Sequence, residues 1–277
     1  MLKFILSALL LLSPVSHAAL LSSPDLACSC NPKVTDPFEE PMRFETTGNL
    51  GKCVDSCRFR RPRILAKGEK FRVANVLHEG KFWIAEINPR NAATIDAFFE
   101  DFLPSVSHVA LRVTFDRPIS LRLQTNKKVT AETRELLLSV EAVLPAATGF
   151  EFNKARKGDY LLGYRLVTGE EAKRWMLGQK NHVVRVYRLK VNRQVLPTFL
   201  QLSLQKSEDH GFQVPYYLFS QNCSTSAFDL LDQATGSKPP TGASWFSRAW
   251  PVSAPIGTLA YLKSAGLIES QLPNLVR

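Results

Sequence analysis

The residue with the clearest chemical potential is Cys223. It lies in the window Tyr216-Tyr217-Leu218-Phe219-Ser220-Gln221-Asn222-Cys223-Ser224-Thr225-Ser226-Ala227-Phe228-Asp229-Leu230-Leu231. Asn222 precedes a predicted helix whose apolar stripe carries Ala227, Leu230, Leu231 and Ala234, and Gly236 closes it as a C-cap. Cys223 falls four residues before Ala227 and seven before Leu230, so it begins that inward stripe. A thiol in the first turn meets unpaired backbone N–H groups and the positive end of the helix dipole, and both favour the thiolate. The same N–H groups suit the oxyanion of an acyl intermediate. The competing reading is a small buried hydrophobe at the end of a helix.

A nucleophilic thiol needs a base. Downstream of the N-terminal leader the histidines are His78, His108, His182 and His210. His78 precedes Glu79-Gly80 and reads as a turn; His182 and His210 stand in polar stretches and read as loops. His108 belongs to Ser107–Phe115, which alternates cleanly: Val109, Leu111, Val113 and Phe115 on one face, His108, Ala110, Arg112 and Thr114 on the other. Small Ala110 beside His108 leaves room for a neighbour. The reading is therefore Cys223 as nucleophile and neutral His108 as base, with a structural histidine as the alternative. Arg112, on the His108 face, is either a holder of a substrate carboxylate or phosphate or a solvated strand residue.

The stretch Ser107-His108-Val109-Ala110-Leu111-Arg112-Val113 resembles the His-x-x-Leu-Arg strand of the periplasmic domain of Lnb-type bacterial lipoprotein N-acyltransferases. The stretch from Val186-Tyr187-Arg188-Leu189 to Tyr216-Tyr217-Leu218-Phe219 and Asn222-Cys223-Ser224 resembles that family's second block. The order, histidine strand before cysteine helix, is that of circularly permuted NlpC/P60-type, papain-like thiol enzymes. The resemblance spans roughly residues 70–267 and implies a papain-like domain with Cys223 and His108 paired, supported by Asn222 and Ser224. By the same analogy a third polar residue on the strand after His108 orients the imidazole, with Gln124 as the first choice and Ser120 as the reserve. Members of that family carry membrane-spanning helices after this domain, whereas this sequence stops at Arg277.

The elements that must hold this pair begin after an export leader. Lys3, the apolar run Phe4–Leu12 and Ser13-Pro14-Val15-Ser16-His17-Ala18 read as a signal peptide over residues 1–18, too short to span a bilayer. A lipidated cysteine at Leu26-Ala27-Cys28 is the alternative use of this region. The expected location is periplasmic or secreted, which sets nucleic acid aside despite a formal net charge of +10. In an oxidising compartment Cys28 and Cys30 are expected to bridge to Cys53 and Cys57, pinning a proline-rich irregular extension over residues 19–68; a four-thiolate zinc site is the rival. That leaves Cys223 as the odd thiol.

Residues 69–277 are expected to form the catalytic domain, α+β in class. Phe71, Val73 and Phe82-Trp83-Ile84 suggest strands, and Ile119–Gln124 a strand after the Asp116-Arg117-Pro118 turn. Ile95, Phe98, Phe99 and Phe102 predict a helix over 92–103, and Leu136, Val140 and Val143 a helix over 130–144. Thr168-Gly169-Glu170-Glu171 is a capping box, His182–Val191 a strand, and Leu196 to about Lys206 a helix with Pro197 in its first turn.

The function expected is acyl transfer or hydrolysis on an envelope lipid or lipoprotein, with no cofactor and no metal. A cell-wall peptide amidase or peptidase and a non-catalytic envelope-binding domain are the alternatives. A lipid substrate calls for an apolar groove beside Cys223, with Trp245, Phe246 and Trp250 as candidate lining. The run Arg58, Arg60, Arg61, Arg63 is a candidate contact with an anionic membrane surface, or a solvated basic face.

Overall fold

The computed structural model describes residues 27–275 apart from 32, 35, 47, 104–105, 179–182, 237–254 and 265. The signal segment, His182, Trp245, Phe246 and Trp250 lie outside the described residues. The class is α+β, built on one ten-stranded sheet. Its strands are β1 Arg63–Ala66, β2 Phe71–His78, β3 Lys81–Ile87, β4 Ala92–Leu103, β5 Val106–Leu123, β6 Thr130–Val143, β7 Tyr160–Thr168, β8 Val183–Leu189, β9 Pro215–Tyr216 and β10 Ile268–Leu275. The helices are α1 Phe152–Lys157, α2 Gly169–Gly178, α3 Leu196–His210, α4 Cys223–Thr235 and α5 Pro255–Ser264.

Five strands close on themselves: β2 pairs with β3, β3 with β5, β5 with β6, β6 with β7, and β7 returns in parallel to β2. The long strand β5 makes this possible. Its second half pairs with β3, and its first half pairs with β4, which leads outward through β8 to β10. A register shift between Thr114 and Ile119 marks where it turns from one partner set to the other. The sequence reading of a turn at Asp116-Arg117-Pro118 becomes this irregularity within one continuous strand.

The two predicted helices over 92–103 and 130–144 are strands β4 and β6. Both faces of the sheet are covered, so neither strand shows clean alternation. Val109, Leu111, Leu136, Leu138 and Val140 belong to the large core with α3 and α4, whereas Phe98, Ala110, Leu137 and Val167 pack with Ala172 and Met176 of α2. The predicted strands about Phe71, Phe82 and Val183 and the predicted helices opening at Thr168, Leu196 and Asn222 are present. In contrast, β1, β7, β9, β10, α1 and α5 were not anticipated, and His78 and His210 lie in regular elements rather than in a turn and a loop. Thr168 Oγ1 accepts from Glu171 N–H at 3.3 Å to open α2, Pro197 occupies the first turn of α3, and Gly236 ends α4 at φ 64°. His78 is buried at the end of β2 against Thr168, and His210 ends α3.

The N-terminal extension carries disulfides Cys28–Cys53 and Cys30–Cys57, leaving Cys223 free and the four clustered thiols without a role as zinc ligands or lipid carriers. It is no loose appendage. Phe44, Val54 and Phe59 are buried in the main core, and Arg63–Ala66 pairs with β2 inside the range expected to be irregular. The candidate basic run is engaged within the protein, with Arg60 buried and the other three partly exposed. Arg60 is buried against Asp36 and Glu39, Arg61 and Arg63 share Glu40, and the Arg58 guanidinium lies 5.0 Å from the Phe59 ring centre and 5.6 Å from that of Trp175. These cations are paired with the protein's own carboxylates or packed on its own rings.

Gln124, the first choice for the third catalytic residue, is part of this fastening. Its Oε1 accepts from Asn75 N–H at 2.6 Å and its Nε2 donates to the Asp36 carboxylate at 2.9 Å. Replacing it by leucine strands the buried Asn75 N–H and removes one donor from the Asp36 carboxylate, a loss of about 1–3 kcal/mol. Gln124→Leu is therefore expected to lower the thermal midpoint while leaving the alkylation rate of Cys223 unchanged. An unchanged melt, or an altered Cys223 rate, would contradict this placement.

Candidate active site

Asn222 sets the position of Cys223. Its side chain accepts from Ser224 N–H at 2.9 Å and Thr225 N–H at 3.1 Å, while Thr225 Oγ1 accepts from Asn222 N–H at 2.9 Å. This reciprocal cap fixes the start of α4, and Asn222 Nδ2 ties it to Leu218 O at 2.7 Å. Cys223 is 7% exposed, and Ser224 Oγ lies 3.9 Å from its sulfur.

The receiving surface is a split in the sheet. The pairing of β5 with β6 ends at Ala110–Ser139, although β6 continues beside β7 to Val143 and β5 continues beside β4. Just past the last pair, Val109 N–H is directed to the Cys223 sulfur rather than to a strand partner, and the His108 ring hydrogen-bonds the same sulfur. The structure thus brings together the two residues singled out in the sequence. Neither Gln124 nor Ser120 joins them, since Ser120 lies in the far half of β5, paired with β3.

The imidazole is oriented by residues that sequence reasoning missed. His108 Nε2 donates to Ser139 Oγ at 2.7 Å, and Ser139 Oγ donates to Glu141 Oε1 at 2.7 Å. Arg165 Nη1 donates to both Glu141 oxygens, at 2.8 and 2.9 Å. With Nε2 committed, Nδ1 is the nitrogen left for sulfur. Ser139 and Glu141 are two apart on β6, and Arg165 is the cross-strand partner of Ser139 on β7. Read with period two, the polar pair inside Leu136-Leu137-Leu138-Ser139-Val140-Glu141-Ala142-Val143 would have announced itself; read as a helix, it did not. Glu100, fully buried, faces His108 across β4 and β5. Tyr216, also buried, hydrogen-bonds Cys223.

These contacts set the charges. Burial lowers the His108 pKa, but the hydrogen bond and charge of Cys223, then the charges of Glu141 and Glu100, outweigh it and raise the value from 6.5 to about 9. Burial raises the Cys223 pKa, but the His108 hydrogen bond and charge, Val109 N–H and Ser224 more than offset it, so the thiol is more acidic than usual. For Glu141 the Arg165 charge, with His108 and the Ser139 hydroxyl, overcomes burial and brings the carboxyl from 4.5 to about 2. Burial, reinforced by Cys223 and Glu141, keeps Tyr216 protonated well above the usual phenol range. Both shifts favour a thiolate beside an imidazolium over the expected thiol and neutral base.

Arg112 takes neither expected role. Its guanidinium donates to Asp96 at 2.6 and 2.9 Å and to Glu135 at 3.1 Å, and stacks 4.8 Å from the Phe98 ring centre. Asp96, fully buried, also binds Arg188. This is an internal ion network, closed to a substrate anion. No family model, no curated protein and no solved structure matches the chain.

The pH behaviour follows from these directions. His108, raised on folding, contributes stability that is complete below 6.5 and is lost as pH rises through about 9. Glu141, lowered on folding, contributes stability present above 4.5 and lost as pH falls toward about 2. Alkylation of Cys223 by iodoacetamide is expected to remain fast below the usual thiol range. Ser139→Ala, which breaks the link to Glu141 yet leaves Glu141 paired with Arg165, should slow it several-fold near pH 6, since one pKa unit is about 1.4 kcal/mol. A rate–pH profile of an ordinary thiol, unaffected by Ser139→Ala, would refute the ion pair.

Proposed function

We propose that this protein is a cysteine-dependent acyl-transfer enzyme acting outside the cytoplasm. The observation that carries the reading is His108 held between the Cys223 sulfur and the Ser139–Glu141 chain. A histidine kept only for packing has no need of a thiolate on one nitrogen and a relayed carboxylate on the other. The signal-like start and the two disulfides support the compartment.

The Cys223 thiolate attacks a carbonyl carbon, and the C=O electron pair moves onto oxygen. Asn222 already occupies the N–H groups of Ser224 and Thr225, which leaves Cys223 N–H and the Tyr216 hydroxyl beside the sulfur as oxyanion donors. As the tetrahedral species collapses, imidazolium Nδ1–H protonates the departing alcohol or amine. A thioester on Cys223 and a neutral His108 remain. Water or an amine then attacks the thioester while His108 accepts its proton, and the thiolate leaves with the ion pair restored. Ser139 and Glu141 keep Nε2–H fixed through both proton transfers. The permuted papain-like fold and a lipid or lipoprotein acyl substrate follow from the resemblance in the two sequence blocks.

Incubation with a fatty acyl 4-nitrophenyl ester, followed by peptide mass analysis, tests this directly. The expected product is an acyl adduct on Cys223, absent in Cys223→Ala and formed about 100-fold or more slowly in His108→Ala. Preference for a cell-wall peptide amide would move the substrate class to the amidase reading. Absence of any Cys223-dependent adduct or turnover would leave a binding domain and overturn the enzyme.

A further inference from the structure

Aromatic side chains are exposed at one corner of the molecule, on the turn that leads into Cys223. Among the described residues the exposed large apolar side chains include Phe150, Phe152, Tyr217 and Phe219, each 39–50% accessible. They are neighbours in space. The Phe152 and Phe219 rings meet edge to face at 6.1 Å, Phe150 stacks on Tyr160 at 5.7 Å, and Leu218 N–H donates to Ala155 O in α1. Gly158, at φ 78°, ends α1 against the Tyr217 ring, where a Cβ would collide. The corner is thus a built surface. Four exposed rings within two short segments are more than scattered surface hydrophobes.

Its charge is net positive, Lys154, Arg156 and Lys157 standing against Glu151 and Asp159. Glu151 pairs with Lys154 in the same segment. Arg156 and Lys157, in the last turn of α1, are exposed and form no ion pair among the described residues, in contrast to the neutralised Arg60, Arg61 and Arg63. Aromatic rings flanked by exposed cations match the boundary of an anionic bilayer, where rings enter the head-group region and cations meet phosphates. A protein partner would leave those cations calling for matched carboxylates; a lipid surface supplies anions at any orientation.

We infer that the corner formed by Phe150, Phe152, Tyr217 and Phe219, with Arg156 and Lys157, docks the protein on an anionic phospholipid surface. The aromatic turn runs from Tyr216, which touches Cys223, to Asn222, which caps its helix, so docking brings the bilayer to the turn that leads into the Cys223 helix. This partner goes beyond the acyl-transfer reading and does not require Cys223 to react.

Co-sedimentation with phosphatidylcholine vesicles, with and without phosphatidylglycerol, tests the docking. The protein is expected to bind the anionic vesicles, and high salt should weaken binding. Phe152→Ser with Phe219→Ser should reduce partitioning at least about tenfold. Arg156→Gln with Lys157→Gln should reduce it about 25-fold, from about fivefold per cation. Cys223→Ala should bind like the parent, which separates this result from any failure of the enzyme reading. Should the serine variant fold poorly by circular dichroism, Phe152→Trp gives a second readout: the fluorescence it adds to the parent's should be quenched by brominated lipid. No binding to anionic vesicles, binding insensitive to both double substitutions, or added fluorescence that stays unquenched when the Phe152→Trp variant is bound would overturn the inference.

Discussion

A buried thiolate and a half-buried imidazolium are each costly to remove from water, and tolerable together only if every remaining lone pair and proton is met. That requirement governs the structure around Cys223. The sulfur receives Val109 N–H, the Tyr216 hydroxyl, the Ser224 hydroxyl and His108. The far nitrogen of His108 passes to Ser139, Glu141 and Arg165, so positive and negative charge alternate along the chain. Removing any one member takes a partner from its buried neighbours, which costs more than the contact itself is worth.

Meeting that requirement shapes the sheet. If β5 and β6 stayed paired beyond Ala110 and Ser139, Val109 N–H would belong to a ladder and no sulfur would fit. The strands part there because each has another partner, β4 on one side and β7 on the other. The closed ring of five strands holds the split open from below. The disulfide-bonded extension closes it from outside, carrying Phe59 to 5.6 Å from the Arg165 guanidinium and Arg58 close enough to Glu141 to add to its acidity. Through Phe59 and Arg58 the extension packs against the Glu141–Arg165 end of the network.

Much of this was legible in the residues. Asn222, the α4 stripe and Gly236 announce a capped helix with Cys223 at its start, and the alternation of Ser107–Phe115 announces the His108 strand, because one-sided periodicity survives where one face differs from the other. The four clustered cysteines likewise announce their bridges. The orienting chain was missed once its strand was read as a helix, and that misreading has a physical reason. Ser139 and Glu141 lie on a strand buried on both faces, where apolar neighbours such as Leu137 and Leu138 erase the alternation. The same cause disguised β4 as a helix. Gln124 and Arg112 were polar residues in plausible places, but the partners that occupy them, Asp36 and Asp96, are remote in the sequence.

The protonation state of His108 decides the account, and nitrogen-15 NMR of labelled histidine reports it. The ring is predicted to show two protonated nitrogens at neutral pH, to titrate near 9, and to return to neutral imidazole at neutral pH when Cys223 is replaced by serine. A neutral His108 at neutral pH in the intact protein, or a titration that ignores the Cys223→Ser substitution, would contradict the ion pair on which the site is built.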